Sequence, residues 1–245
     1  MNVLTIIPTY NERDNLPSLV HQILDLHPYR VLVVDDQSPD GTGAIADSLA
    51  REYPGRLEVM HRTGPRGLGL SYLDGFRRAL ASDADLICQM DADLSHDPRY
   101  LPDLVAAAAS HDLVLGSRYL NGISVVNWPL RRIILSSFAN SYVRTITGLT
   151  TRDTTSGYRC WQRDALARLD LERFLSHRYA FMVETVFEVA RKGGRVGEVP
   201  IIFVERRLGA SKMSGRVLLE SMVMPWRLVL RNRGRVRRPA GDAAP

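Results

Sequence analysis

Two observations place this chain among α/β proteins built on a mostly parallel sheet. Apolar, β-branched runs alternate with helical segments of about 10–15 residues through its first half, and its polar clusters fall where those runs end. Bulk composition adds a third. With 245 residues, 45% hydrophobic and 24% charged, the chain can bury a sizeable core and shows no extreme that marks a fibrous, disordered or membrane-spanning protein.

The elements follow in order. Residues 3–8 (VLTIIP) are the first strand-like run. Residues 13–26 repeat at helical spacing, with Leu16, Leu19, Val20, Ile23 and Leu24 on one face and Pro17 tolerated in the first turn. Residues 30–36 (RVLVVDD) read as a second buried strand, 41–53 as a helix and 56–62 as a third strand. A glycine-rich loop at 64–69 (GPRGLG) opens a helix over 70–82. Residues 84–93 (ADLICQMDAD) read as a fourth strand, 98–110 as a helix opened by Pro98, and 112–117 (DLVLGS) as a fifth strand.

The second half is less regular. A helix is expected over 129–148, then a polar loop over 149–161 (LTTRDTTSGYRCW) and a helix over 180–194 ending at paired glycines. Residues 195–207 read as a strand whose Pro200 points to a sheet edge. Residues 215–231 form an apolar, basic amphipathic helix interrupted at Pro225. The division expected is a catalytic domain over 1–214, that helix over 215–231, and a basic, disordered tail over 232–245. There is no internal repeat.

Several function classes are disfavoured at once. Cys88 and Cys160 show neither disulfide nor metal spacing and read as buried thiols in a reducing compartment. No basic-then-apolar leader and no run of about 20 apolar residues is present, so a cytoplasmic protein is expected. The net charge of +5 is concentrated in 227–238, which holds six arginines and no acid. Such a tail suits nucleic acid, an anionic membrane or plain solvent, and no nucleic-acid module accompanies it, so no nucleic-acid partner is expected.

In parallel α/β sheets ligands bind beyond the carboxyl ends of the strands. Four polar clusters fall there: Pro8 to Glu12, Asp35 with Asp36, Asp91 to Asp93, and Gly116 to Arg118. The Asp91–Asp93 pair alone reads either as a polar turn or as a metal site. In extended chain, residues i and i+2 point the same way, so both carboxylates can face one cation. A hard divalent ion prefers such oxygens and removes the repulsion between them. The loop 64–69 does not have the spacing of a dinucleotide fingerprint.

Six stretches, IIPTYNERDNL, VLVVDDQSPDGT, MDADLSHDP, GSRY, DTTSGYRCW and ERRLGASKM, occur in an order and spacing that resembles the inverting family-2 glycosyltransferases of GT-A fold. Within that family the stretches resemble the polyprenol-phosphate (dolichol-phosphate) mannose synthases, and the resemblance covers residues 2 to about 215. The resemblance implies a GT-A-type, Rossmann-like, mostly parallel sheet with flanking helices in a single catalytic domain. It implies transfer of mannose from GDP-mannose to a polyprenyl phosphate with Mg²⁺ or Mn²⁺.

The resemblance also assigns residues. Pro8, Tyr10, Glu12, Val34 and Asp36 match the nucleoside edge. Asp91, Ala92 and Asp93 match the nucleotide-sugar and metal site, with Asp93 as principal ligand. Ser95 stands where some members have Gln, and its short hydroxyl makes direct coordination doubtful. Arg118, Arg206 and Lys212 match the donor phosphates. Arg118, one of Arg131 and Arg132, and Ser136 match the acceptor-phosphate site. His96 reads as a surface residue. Only Lys192 and Lys212 among the 32 basic side chains are lysines, which makes Lys212 the more informative of the cations.

An arginine fork holds a phosphate at two points, fixing orientation as well as charge. An acceptor phosphate is already anionic near neutral pH, with a second pKa of about 6, so positioning and electrostatics replace a strong general base. Some synthases of the family carry C-terminal transmembrane helices, and residues 215–245 depart from that pattern. Its basic C-terminal helix suits an anionic inner leaflet or a membrane-embedded partner. The competing readings are the same fold with another donor such as UDP-glucose, and a non-catalytic nucleotide-sugar binder.

Overall fold

The computed structural model describes residues 1–26, 28–174, 176, 180–205, 215–232 and 234–236, with 215–221 described by backbone alone. Its centre is a seven-stranded sheet. β1 (Val3–Thr9), β2 (Arg30–Asp35), β3 (Leu57–His61), β4 (Leu86–Gln89), β5 (Leu113–Ser117), β7 (Arg159–Gln162) and β8 (Val196–Pro200) lie in the order β3-β2-β1-β4-β7-β5-β8. All are parallel except β7, which runs antiparallel to both its neighbours, β4 and β5. A small parallel ribbon, β6 (Val125–Val126) with β9 (Phe203–Val204), stands apart from it.

Helices cover both faces, which is why the strands are apolar in consecutive positions. Along β1, Leu4 and Ile6 join one core cluster and Val3 and Ile7 the other, as the period-2 alternation of a strand requires. α1 (Leu16–Leu26), α2 (Thr42–Glu52) and α4 (Leu101–Ala107) cover the second cluster, and α3 (Leu68–Leu80), α6 (Arg163–Ala167) and α7 (Ala180–Arg191) the first. Phe76 meets Trp161 edge to face at 5.6 Å, and the buried indole donates to Gln89 Oε1 at 2.6 Å. Truncating a side chain as enclosed as Phe76 costs about 3–5 kcal/mol.

The first-half strands and helices expected from the sequence are present. Four differences bear on the site. The fourth strand stops at Gln89, so Asp91 and Asp93 lie in a turn. The polar loop ends in a strand, β7, whose Cys160 and Trp161 are fully buried. The expected strand over 195–207 divides into β8, at the sheet edge as Pro200 indicated, and β9 in the ribbon. Pro225 leaves α8 (Gly215–Arg231) a single helix.

α5 (Leu130–Thr147) matches its expected span and stops at Gly148, whose φ of 82° favours glycine. A Cβ there would lie 2.7 Å from Val236 O. The start of the basic tail is docked at this point, with Val236 N–H donating to Thr147 O at 2.8 Å. Residues 237–245 of that tail lie outside the described residues.

Candidate active site

Because β1, β2, β3, β4 and β5 are parallel, their following loops share one edge. β7 is antiparallel, so the segment leading into it, Asp153 to Tyr158, arrives at that edge too. This places Asp153 against Arg118, 35 residues earlier. The loop 64–69 and the β6–β9 ribbon complete the rim.

The acidic turn follows β4. Leu94 takes a left-handed φ of 61°, which turns the chain back on itself. Ser95 donates both its N–H (3.1 Å) and its hydroxyl (2.5 Å) to Asp93 Oδ1. Asp91 N–H donates to His96 Nδ1 at 3.1 Å, and Tyr72 O–H to Asp91 Oδ1 at 3.4 Å. Burial, then the Asp91 carboxylate, pushes the Tyr72 phenol well above its ordinary value, so it stays a donor. Ala92, Asp93 and Ser95 are buried and Asp91 half-buried. The strand pleat expected to aim both carboxylates is therefore absent, and a hydrogen-bonded turn sets their placement instead. His96 is buried at 3% exposure, against the surface placement expected, because its ring fills the space between Tyr158 and Phe203.

The donor set is two carboxylates with a serine hydroxyl committed to one of them. Among the described residues no group of three or more His, Cys, Asp and Glu side chains forms a cage. That fits a hard cation bound by one or two carboxylates, waters and substrate phosphates better than a closed structural metal site.

At the neighbouring loops, Pro8 pairs in register with Val34, and Asp36 N–H donates to Thr9 O at 2.9 Å. The Val34 side chain is fully buried in the core, leaving its backbone as the part near the edge. Glu12 N–H donates to Thr42 Oγ1 (3.0 Å), and its carboxylate accepts from Asn15 Nδ2 (2.9 Å). Asp36 is held by Arg62 and by the Gly67 N–H at 2.8 Å. Gly67, in the glycine-rich loop, thus donates to a carboxylate of the protein. Tyr10 carries the Arg66 guanidinium over its ring at 4.9 Å, with Arg66 Nη1 donating to its hydroxyl at 2.5 Å. Sequence reasoning passed over Arg66, which looks like any surface arginine until the loop closes on Tyr10.

The basic half centres on Arg118. Its Nε and Nη2 reach Asp153 Oδ2 and Oδ1, each at 2.7 Å, and Nη2 also donates to Thr155 Oγ1 at 2.8 Å. Burial would raise the Asp153 carboxyl, but the adjacent guanidinium and its hydrogen bonds hold it below the ordinary range. The rings of Tyr119, Trp128 and Phe203 each lie 5.5 Å from the Arg118 guanidinium carbon. Arg132 stacks on Trp128 at 4.0 Å and pairs with Glu205. Ser136 accepts from Tyr119 O–H at 2.7 Å. Arg131 is exposed and makes no ion pair with the described residues. Arg118, Arg132 and Ser136 thus gather around Tyr119 and Trp128, while Arg206 and Lys212 lie outside the described residues.

Arg159 was also missed. It is fully buried, its pKa brought down to about 9 by that burial. It donates to Ser156 O (2.7 Å), Thr185 Oγ1 (2.6 Å) and Met182 O (2.9 Å), fastening the Asp153–Tyr158 segment to α7. Glu184, on the same helix, accepts from Ser176 N–H at 2.9 Å and lies 3.8 Å from Arg231.

A mostly parallel sheet whose carboxyl edge gathers an acidic turn, an aromatic-carboxylate loop and buried arginines defines a GT-A glycosyltransferase. The family model for glycosyl transferase family 2 matches residues 5–170, and the chain belongs to that family. It is 47% identical over 242 residues to a polyprenol monophosphomannose synthase of Mycolicibacterium smegmatis, covering 97% of this chain and 90% of the relative. It is 48% identical over 224 residues to an undecaprenyl-phosphate mannosyltransferase of Micrococcus luteus, covering 91% and 92%. Among solved structures, glucosyl-3-phosphoglycerate synthase from Mycobacterium tuberculosis with Mn²⁺, UDP and glucosyl-3-phosphoglycerate superposes with a TM-score of 0.69 at 16% identity, over 98% of this chain and 82% of that one. The mannosyltransferase PcManGT from Pyrobaculum calidifontis with GDP-Man and Mn²⁺ gives 0.62 at 20% identity, over 94% and 64%. These two likenesses concern the fold.

Proposed function

We propose that this glycosyltransferase moves mannose from GDP-mannose to the phosphate of a polyprenyl monophosphate, with inversion, giving a β-mannosyl phosphoryl polyprenol and GDP. The observation that carries the reading is the meeting of two surfaces at one sheet edge, the Asp91–Asp93 turn and the Arg118–Arg132–Ser136 cluster, the latter reaching onto α5. Two relatives at 47–48% identity named for mannose transfer to prenyl phosphates support it. The GDP-Man and Mn²⁺ of PcManGT favour the same donor and metal.

In this reading Pro8, Tyr10, Glu12, the Val34 backbone and Asp36 border the nucleoside, and Asp91, Ala92 and Asp93 the pyrophosphate and sugar. Mg²⁺ or Mn²⁺ held by Asp91 and Asp93 would offset the charge of the departing pyrophosphate. Arg206 and Lys212 supply further positive charge there. Arg118, stiffened by Asp153, and Arg132 hold the acceptor phosphate, with Ser136 as hydroxyl partner. The acceptor oxygen is anionic before it binds, so no side chain need remove a strongly held proton. The rate then comes from in-line placement and from positive charge fixed where GDP departs. One displacement forms no glycosyl-enzyme bond.

The lipid end explains an otherwise costly surface. Leu130, Ile134 and Phe138 on α5, and Met222, Trp226 and Leu230 on α8, are exposed at i, i+4, i+8 spacing. The two stripes are joined where Trp226 Nε1 donates to Tyr142 O–H (3.0 Å) and Tyr142 O–H to Met222 O (2.8 Å). No described helix is long and apolar enough to cross a membrane. Exposed Arg131 and Arg227 flank these stripes, which suits peripheral docking on an anionic inner leaflet. A membrane-embedded partner protein is the second occupant such a face suits.

The test is transfer of labelled mannose into polyprenyl phosphate, with and without chelator, beside UDP-glucose. Chelator-sensitive labelling from GDP-mannose alone is expected. Transfer only from UDP-glucose would overturn the donor, and nucleotide binding without transfer would favour a sensor.

A further inference from the structure

His96 has no part in the chemistry above, yet its ring stands where three segments of the site meet. Strand pairing of β4 ends at Gln89, and Met90 N–H still donates to Ile6 O (3.2 Å). The next N–H, that of Asp91, has left the ladder and needs another acceptor. It finds His96 Nδ1 at 3.1 Å. The ring stacks on Tyr158 (centroids 4.9 Å, 26° between planes) and meets Phe203 edge-on at 5.5 Å. Tyr158 O–H donates to Asp97 O at 3.0 Å, closing the turn from its far end. Phe203 is one of the rings around Arg118. The imidazole thus ties the acidic turn to the segment entering β7 and to the β6–β9 ribbon.

We propose that His96 is a positioning residue: its Nδ1, as acceptor for the Asp91 N–H, sets the direction in which the turn presents Asp91 and Asp93. An acceptor at Nδ1 puts the ring proton on Nε2, so the neutral tautomer is the one that does this. The aromatic neighbours hold the ring plane, and the hydrogen bond transmits that orientation to the peptide carrying the carboxylates. The consequence for cation binding rests on the metal reading of those two residues.

Three substitutions separate the hydrogen bond from the packing. His96→Asn keeps an acceptor near the Nδ1 position and loses the ring. His96→Phe keeps the ring and loses the acceptor. His96→Gln places its amide near Nε2 instead, and serves in place of the Phe variant should that one fail to fold. For each, melting temperature, Asp91 amide hydrogen exchange and Mn²⁺ binding in the presence of GDP are measured. Asn is expected to retain Asp91 amide protection and Mn²⁺ affinity. Phe and Gln are expected to lose the protection and to weaken Mn²⁺ by about 10-fold or more, as when a group orienting a metal ligand is removed. Wild-type behaviour of the Phe variant, or equal damage in the Asn variant, would overturn the proposal. Should wild-type protein bind no Mn²⁺ with GDP, the metal reading fails, and the amide protection alone decides the role of His96.

Discussion

Arg118 and Asp153 form a two-point contact, Nε to Oδ2 and Nη2 to Oδ1, both at 2.7 Å, with Asp153 fully buried and Arg118 nearly so. The Arg118 backbone N–H adds a third bond to Oδ2 at 3.0 Å. The guanidinium is therefore aimed before any substrate arrives, and its remaining N–H groups have one direction to offer. Removing one member of such a pair leaves a buried charge uncompensated, at a cost of about 3–5 kcal/mol. Asp153→Asn should lower the melting temperature and reduce transfer. An unchanged melting curve would show that the pair contributes little.

The same pair sets a pH dependence. The folded Asp153 carboxyl titrates below the ordinary 3.8, so its contribution is complete above that value and is lost as pH falls through the folded pKa. Wild-type protein should therefore lose stability more steeply than Asp153→Asn on acidification below about pH 4, measured by denaturant midpoints across that range. Parallel curves would contradict the assignment.

Asp93 receives both donors of Ser95 and leads the acidic turn. Asp93→Ala should cut kcat by about 10²–10³-fold, the size seen when one fixed partner of transition-state charge is removed. The fold should survive, since Asp93 lies in a turn beyond the end of β4 and belongs to neither core cluster. Near-normal turnover would remove Asp93 from the metal site.

The two arginines opening α5 separate by environment. Arg132 shares Trp128 with Arg118, whereas Arg131 faces solvent. Arg132→Ala should raise KM for the prenyl phosphate by about tenfold, the loss of one charge-assisted contact of about 1.4 kcal/mol. Arg131→Ala should leave KM for a short, soluble prenyl phosphate unchanged and weaken only binding to anionic vesicles. The reverse pattern would exchange their roles.

Phe138→Asp and Trp226→Asp place charge in the two apolar stripes. Sedimentation with anionic vesicles should fall for both, while turnover on a short-chain acceptor in detergent persists. Vesicle binding that persists in both variants would assign the stripes to a protein partner or to nothing at all.

Much of the fold was legible because burial on both faces makes parallel strands continuous apolar runs and leaves polar residues only at their ends. Asp35, Asp91 and Arg118 could be placed on one edge for that reason. β7 was not legible: it has four residues, RCWQ, at the end of a polar stretch, and its strand character comes from pairing with β4 and β5. With it went the meeting of Asp153 with Arg118, which no local pattern encodes. His96 was misplaced because its neighbours in sequence are polar, while its neighbours in space are Tyr158 and Phe203. The apolar spacing of α5 shows which residues share a face, but the same spacing serves a face turned to a core or to a bilayer.

The most direct measurement is the anomeric configuration of the lipid product formed from α-linked GDP-mannose, read by NMR of the purified mannosyl phosphate. Direct attack by a phosphate held at Arg118 and Arg132 predicts the β-anomer and no mannosylated protein at any time point. An α-linked product, or mannose trapped on the enzyme, would contradict it.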